Sequence, residues 1–209
     1  HHLYCQKSQM QPVLPPGAVP VGRRYEGMMA ERERNMVNAA DSYVAIDLET
    51  TGIGAKREKI TEIGMVKVEN GAVTDTYHSL VNPGRPIPAH ITELTGIDDD
   101  MVKDAPMIQD VIGEVIAFCG TLPVLGHQIM FDYGFLVQAA VNGKLRFERS
   151  GIDTLKLCRK FMPPEEKKNL AAACAYFHAA QDTAHRALSD AMAAHELYQA
   201  MKRQYLSGN

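Results

Sequence analysis

The chain has 209 residues, enough for one domain that buries about 70% of its unfolded surface without disulfide or metal staples. Apolar residues at 45% and charged residues at 22% are ordinary globular values and exclude wholesale disorder. With 22 Lys and Arg against 25 Asp and Glu, the formal charge of −3 provides no overall cationic field, so a polyanionic partner must be held by local groups or by metal ions.

The four cysteines, Cys5, Cys119, Cys158 and Cys174, show no metal-ligand spacing and no dense disulfide framework. A reduced, cytoplasmic protein is the expectation. No apolar stretch reaches the ~18 residues of a membrane span, so no membrane partner is expected. The N-terminus lacks the long apolar core of a signal peptide.

Residues 1–40 read as an N-terminal extension, distinct from a domain over 41–209. Gln6 to Arg24 is rich in Gln, Pro and Gly and favours an extended or disordered arm. His1-His2 is compatible with an affinity-tag remnant, and Glu31 to Arg34 suits the end of a short helix. Tyr43 to Leu48 then reads as a buried strand. Lys59 to Val68 alternates as a second strand, and Glu69-Asn70-Gly71 is a hairpin turn, because Asn-Gly tolerates positive φ. Ala72 to Val81 returns as a third, so the sheet starts antiparallel.

Helices and short strands alternate from there. A short helix is expected at Ala89 to Leu94, ended by Gly96. Pro106 suits the first turn of a helix running to Cys119, with Gly120 just beyond. Leu122 to Gly126 is a fourth strand. Met130 to Val141 is a helix stopped by Asn142-Gly143. Ile152-Asp153 is a fifth strand, and helices follow through Phe161, over Leu170 to Phe177, and from about His185 to Tyr205. In the last, Leu188, Met192, His195 and Gln199 form one stripe. The whole reads as a mixed-sheet α/β domain.

Three elements carry acidic chemistry. Asp47 and Glu49 end the first strand, and residues two apart in a strand share a side. Two carboxylates aimed the same way repel unless cations lie between them. Thr50-Thr51-Gly52 follows as a sharp exit where backbone amides and hydroxyls can approach a ligand. Asp132 begins the helix after Gly126, where an N-cap role is the ordinary explanation. His185 and Asp190, five apart, lie roughly 140° apart on a regular helix and converge only if His185 precedes its first full turn. For each element alone, a solvated or capping role outweighs chemistry.

In this order, Asp47-Leu-Glu-Thr-Thr-Gly52, Phe131-Asp132 and His185-x4-Asp190 resemble the DEDDh branch of the DnaQ-like 3′–5′ exonucleases. Ile60-Thr-Glu-Ile-Gly64, Leu80-Val-Asn-Pro-Gly84, His90 to Ile97 and Asp153-Thr-Leu155 are similar to proofreading domains. The likeness covers about residues 42–202. It implies a ribonuclease H-like fold, a five-stranded mixed sheet with three antiparallel strands and then parallel ones, flanked by helices, and makes 41–209 an exonuclease domain.

The resemblance also implies a mechanism with two divalent ions, Mg²⁺ or Mn²⁺, bound by Asp47, Glu49, Asp132 and Asp190. Asp47 would bridge both ions, Asp132 would act mostly through water, and His185 would be the general base. Thr50, Thr51, Gly52, Leu94, Thr95 and Gln128 would hold the 3′-terminal nucleotide. Gln128 stands where the family often has Asn, which bears on substrate contacts. Asp153 is expected to be structural, His90, His127 and His195 to serve packing or surface roles, and Arg186 to point away. Lys56, Arg57, Lys59, Arg159, Lys160, Lys167 and Lys168 are candidates for guiding a strand. The implied partners are nucleic acid 3′ ends, DNA before RNA, and a polymerase or repair complex. The alternatives are an exoribonuclease of the same mechanism and a catalytically silent module of the same fold.

Overall fold

A computed structural model describes residues 40–182 and 186–206. The expected arm and helix before residue 40, Cys5 and His185 lie outside those residues. Five strands form one sheet: β1 (Tyr43–Thr50), β2 (Ile60–Glu69), β3 (Ala72–Leu80), β4 (Val124–Gly126) and β5 (Gly151–Asp153), in the order β3-β2-β1-β4-β5. β1 pairs antiparallel with β2 and parallel with β4, so the expected mixed sheet forms with β1 at its centre. The hairpin between β2 and β3 turns at Asn70 and Gly71, with φ of 52° and 81°, the left-handed pair that a two-residue hairpin requires.

Among the described residues the helices are α1 (Ala89–Thr95), α2 (Asp99–Val102), α3 (Ile108–Cys119), α4 (Ile129–Asn142), α5 (Thr154–Phe161), α6 (Leu170–Phe177) and α7 (Ala187–Met201), followed by one π turn over Lys202–Leu206. Three boundaries differ from expectation. Pro106 lies before α3, which starts where Asp110 Oδ2 accepts the Met107 N–H at 3.0 Å. β4 begins only at Val124, because Pro123 has no N–H to donate and offers only its carbonyl, to Val44 N–H at 2.9 Å. α2 was unforeseen; at four residues it has no periodicity, only the Asp98 cap that accepts the Met101 N–H.

The sheet is buried on both faces. On one, Val44, Ile46, Leu48, Ile63 and Met65 pack with Val115, Ile129 and Leu136 from α3 and α4. On the other, Tyr43, Ala45, Val66 and Val68 pack with Ala191, Ala194 and Tyr198 of α7. Of the predicted stripe on the last helix, His195 is buried and, with Gln199, bonds Tyr43 of β1. Leu188 and Met192 are only partly buried, whereas Ala187, Ala191, Ala194 and Tyr198 face the sheet. Small side chains let a helix sit close to strands, so the contact face of α7 is built mainly from alanine, with Tyr198 beside it.

Gly64 permits that closeness. A Cβ there would overlap the backbone of Ala187 and Leu188, reaching 2.5 Å from Leu188 Cα. Gly64 stands opposite Asp47 in the β1–β2 register. The start of α7 therefore crosses the sheet beside Asp47.

Candidate active site

The site lies at the carboxyl ends of the parallel strands β1, β4 and β5, the usual place for ligands in such sheets. Asp47 and Glu49 come from the end of β1, Asp190 from the first turn of α7, and Asp132 from the first turn of α4. Asp47, Glu49 and Asp190 each offer a carboxylate oxygen, and the three oxygens lie within 4.8 Å of one another. Asp132 is buried beside them, where its Oδ1 accepts the Leu48 N–H at 2.9 Å. That bond leads from the start of α4 to the backbone between Asp47 and Glu49. The four predicted carboxylates are thus brought together, with Asp132 outside the closest trio.

Their electrostatics are those of a cation trap, with like charges crowded together. Burial, then Asp132, Glu49 and Asp190, pushes the Asp47 carboxyl well above the ordinary range. Burial and Asp190 push Glu49 up to about 8. One Asp47 oxygen, Oδ2, is shielded from solvent and has no hydrogen-bond partner among the described residues. A buried acceptor is normally satisfied. An orphaned carboxylate oxygen among three other hard oxygen donors fits a divalent cation such as Mg²⁺ or Mn²⁺.

The predicted nucleotide-binding residues divide. Thr51 is buried; its hydroxyl donates to Glu58 Oε2 at 2.6 Å and accepts the Lys59 N–H at 2.9 Å. Thr50 Oγ1 donates to the Gly52 carbonyl at 2.5 Å. Both hydroxyls thus brace the loop after β1. At Gly52, a Cβ would meet the Glu58 side chain at 2.8 Å, so the absence of a side chain lets the loop fold against Glu58. On α1, Leu94 is 59% exposed, whereas Thr95 is buried and its hydroxyl donates to the Ile91 carbonyl at 2.9 Å. Leu94 is free to meet a ligand; Thr95 closes its own helix.

Gln128 enters α4 with φ 70°. Left-handed backbone is tolerated by Asn far better than by Gln. Its N–H donates to Asp153 Oδ1 at 2.9 Å, and the same oxygen caps α5 by accepting the Leu155 N–H. Asp153 is therefore structural, as expected. Gln128→Asn should relieve this backbone and stabilise the protein by about 0.5–1 kcal/mol. Thermal denaturation checks this; a lowered melting temperature would refute it.

The histidines also sort as expected. His127 binds Thr154 Oγ1 at 2.8 Å and donates to the Lys168 carbonyl at 2.6 Å. His195 is buried and accepts from Tyr43 Oη at 2.7 Å, with burial holding its proton affinity below the usual value. Lys168 is not free to guide a strand. Its Nζ donates to the carbonyls of Pro163 at 2.9 Å, Pro164 at 3.3 Å and Glu166 at 2.8 Å.

One residue escaped the sequence reading. Glu62 sits opposite Glu49 in the register, and its side chain is wholly buried. It binds Arg186, Ala187 and His78. Its signals were a carboxylate at an inward position of an apolar strand and its place in the Ile60 to Gly64 segment, to which no role was given. Arg186 bonds Glu62, and its charge also reaches Glu49.

The RNase_T exonuclease family model matches residues 44–198. The DNA polymerase III subunit epsilon of Aquifex aeolicus is 35% identical over 159 residues, covering 75% of this chain and 78% of that protein. DNA polymerase III PolC-type of Caldanaerobacter subterraneus is 36% identical over 75% of this chain, which spans 11% of that much longer protein. Among solved structures, exonuclease X in complex with 5′ overhanging duplex DNA is 28% identical, with a TM-score of 0.61 over 77% of this chain and 91% of that one. Exonuclease I of E. coli with a dT13 oligonucleotide, at 14% identity and TM-score 0.66 over 78% of this chain and 41% of that one, shares the fold.

Proposed function

Because the chain belongs to the DnaQ-like, RNase_T family of exonucleases, we propose that it is a metal-dependent 3′–5′ exonuclease. Its substrate is the 3′ end of single-stranded or frayed DNA, and its products are nucleoside 5′-monophosphates. The observation that carries this reading is the convergence of Asp47, Glu49 and Asp190 to within 4.8 Å at the end of the central strand. Left alone, these carboxylates would repel a phosphodiester, and only bound cations reverse that sign.

Asp47, Glu49 and Asp190 would hold the metal, with Asp132 beside them. Bound divalent ions supply a water that is acidic enough to ionise near neutral pH and neutralise charge developing on the phosphate. The chain's own part is orientation. Asp132 ties the start of α4 to the β1 backbone, Gly64 admits α7, and Asp190 arrives one turn into that helix. His185 would take the proton from the attacking water, since imidazole titrates near working pH. The water oxygen bonds to phosphorus, the bond to the leaving 3′ oxygen breaks, and that oxygen is protonated to a 3′ hydroxyl. The nucleotide-binding side of the site would include Leu94, the backbone of Thr50 to Gly52, and Gln128. A polymerase or repair complex is the partner we infer from the polymerase III relatives.

The test is hydrolysis of matched 5′-labelled single-stranded DNA and RNA with Mn²⁺, and with EDTA as control. A ladder shortening from the 3′ end on DNA, lost in EDTA, is expected. A ladder on RNA alone would move the substrate to RNA, and no ladder with either would favour a silent module. His185→Ala should lower the rate by ~10²–10⁴-fold; an unchanged rate removes His185 from the chemistry.

A further inference from the structure

Resting on that reading, we propose that Glu62 is a positioning residue, a buried clamp that fixes the start of α7 so that Asp190 meets Asp47 and Glu49. Its Oε1 accepts the Ala187 N–H at 2.8 Å and Arg186 Nε at 3.1 Å. Its Oε2 accepts Arg186 Nη2 at 2.6 Å and Nε at 3.1 Å, and His78 Nε2 donates to it at 2.8 Å. The first amide of a helix has no partner within the helix. Glu62 supplies that partner and grips the residue before it.

The grip reaches the metal-binding trio through one turn of backbone. The Arg186 carbonyl accepts the Asp190 N–H at 2.9 Å and the Ser189 hydroxyl at 3.0 Å. Fixing Arg186 therefore fixes the turn that ends in Asp190. Gly64, two residues along β2 from Glu62, lets the same turn lie against the strand. Glu62 and Gly64 thus act on one contact, the first by attraction and the second by its missing side chain.

The chemistry argues against a purely stabilising pair. Burial alone would raise the Glu62 carboxyl, yet Arg186, the Ala187 amide and His78 hold it below the usual value, so it is ionised. A buried ion pair is weak evidence of stability, and apolar replacements are often neutral. An ionised acid kept next to an already crowded carboxylate cluster makes sense if its geometry is what matters.

The experiment compares wild type with Glu62→Gln, Arg186→Gln and Arg186→Lys. Three readouts are taken: kcat and KM on single-stranded DNA, Mn²⁺ affinity by calorimetry, and hydrogen exchange of the 187–190 amides. Glu62→Gln should lower kcat and Mn²⁺ affinity each by ~10–100-fold, the range for residues that orient metal ligands. KM should stay within about twofold, and 187–190 should exchange faster while the β1 and β2 amides do not. Arg186→Lys, which keeps a cation, should fall between wild type and Arg186→Gln. Wild-type kcat, Mn²⁺ affinity and exchange in a folded Glu62→Gln protein would overturn the proposal, whatever its melting temperature. Should that variant fail to fold, Arg186→Gln decides on the same readouts, since its side chain is 40% exposed. If wild type neither cleaves nor binds Mn²⁺, the exonuclease reading fails, while exchange at 187–190 still decides on the clamp.

Discussion

Replacing Asp47 by Asn should cut hydrolysis by more than about 10³-fold and should also raise the melting temperature of the metal-free protein. The two effects have one origin. Asp47 stands nearest the focus of the cluster, with Asp132, Glu49 and Asp190 all raising its proton affinity after burial has done so. A bound cation turns that crowding into affinity, and losing several kcal/mol of charge stabilisation costs a decade of rate per ~1.4 kcal/mol. Without metal, the same carboxylate is a cost of folding. Asn keeps the volume and removes the charge, so a gain of about 1–3 kcal/mol is expected in EDTA near pH 8. At ~2–4 °C per kcal/mol for this size, the shift is a few degrees to about 10 °C.

The pH dependence has a definite sign. A carboxyl whose proton affinity is raised by folding weakens the fold as pH climbs above its ordinary value, until the raised value is passed. Glu49, pushed up to about 8, marks the upper edge for one group. The advantage of Asp47→Asn should therefore widen from pH 5 to pH 8. Melting curves in EDTA at both pH values check it; a variant less stable than wild type at pH 8 would mean that the cluster is not strained by charge. Retention of wild-type rates in Mn²⁺ would remove Asp47 from the metal site.

Gly64→Ala should destabilise the protein by at least about 3 kcal/mol, the upper range for overpacking. The new methyl would overlap backbone atoms of Ala187 and Leu188. Backbone cannot swing aside as the end of a long side chain can. Either α7 lifts from β2 or β2 bends, and in both cases Asp190 leaves Asp47. Loss of metal affinity should accompany a fall in melting temperature of about 6–12 °C. Gly113→Ala is the control. It lies within α3 with nothing within 4 Å of a new Cβ, so it should gain about 0.5–1 kcal/mol. Equal effects at both positions would show that the close approach at Gly64 carries no cost.

The order of elements was legible because each boundary had local chemistry. Asn70-Gly71 turned, Gly96 and Gly143 ended helices, and the Asp-x-Glu pair ended an apolar strand. The four carboxylates were named through the resemblance, and three of them, Asp47, Glu49 and Asp190, lie together in space. Other features depended on distance in space. The resemblance assigns Thr50, Thr51 and Thr95 to the nucleotide; that their hydroxyls also brace their own loop or helix is a property of the fold. The stripe on α7 was legible in part: His195 and Gln199 reach Tyr43 and Leu188 and Met192 border the core, while the closest contacts come from small alanines that carry little hydrophobic signal. Glu62 was invisible as a partner of Arg186, since the two are 124 residues apart in the chain.

That separation has a kinetic consequence. β1, β2 and β3 are joined by short connections and can pair early, whereas Asp190 is delivered by α7, after every strand and every other α-helix of the described fold. Contacts of such long sequence separation are slow to form. A folding intermediate holding only the early strands would carry Asp47 and Glu49 but not the third carboxylate. Nuclease activity would then be the last property gained in folding and the first lost when the final helix detaches, so cleavage rate would report on the integrity of the whole domain.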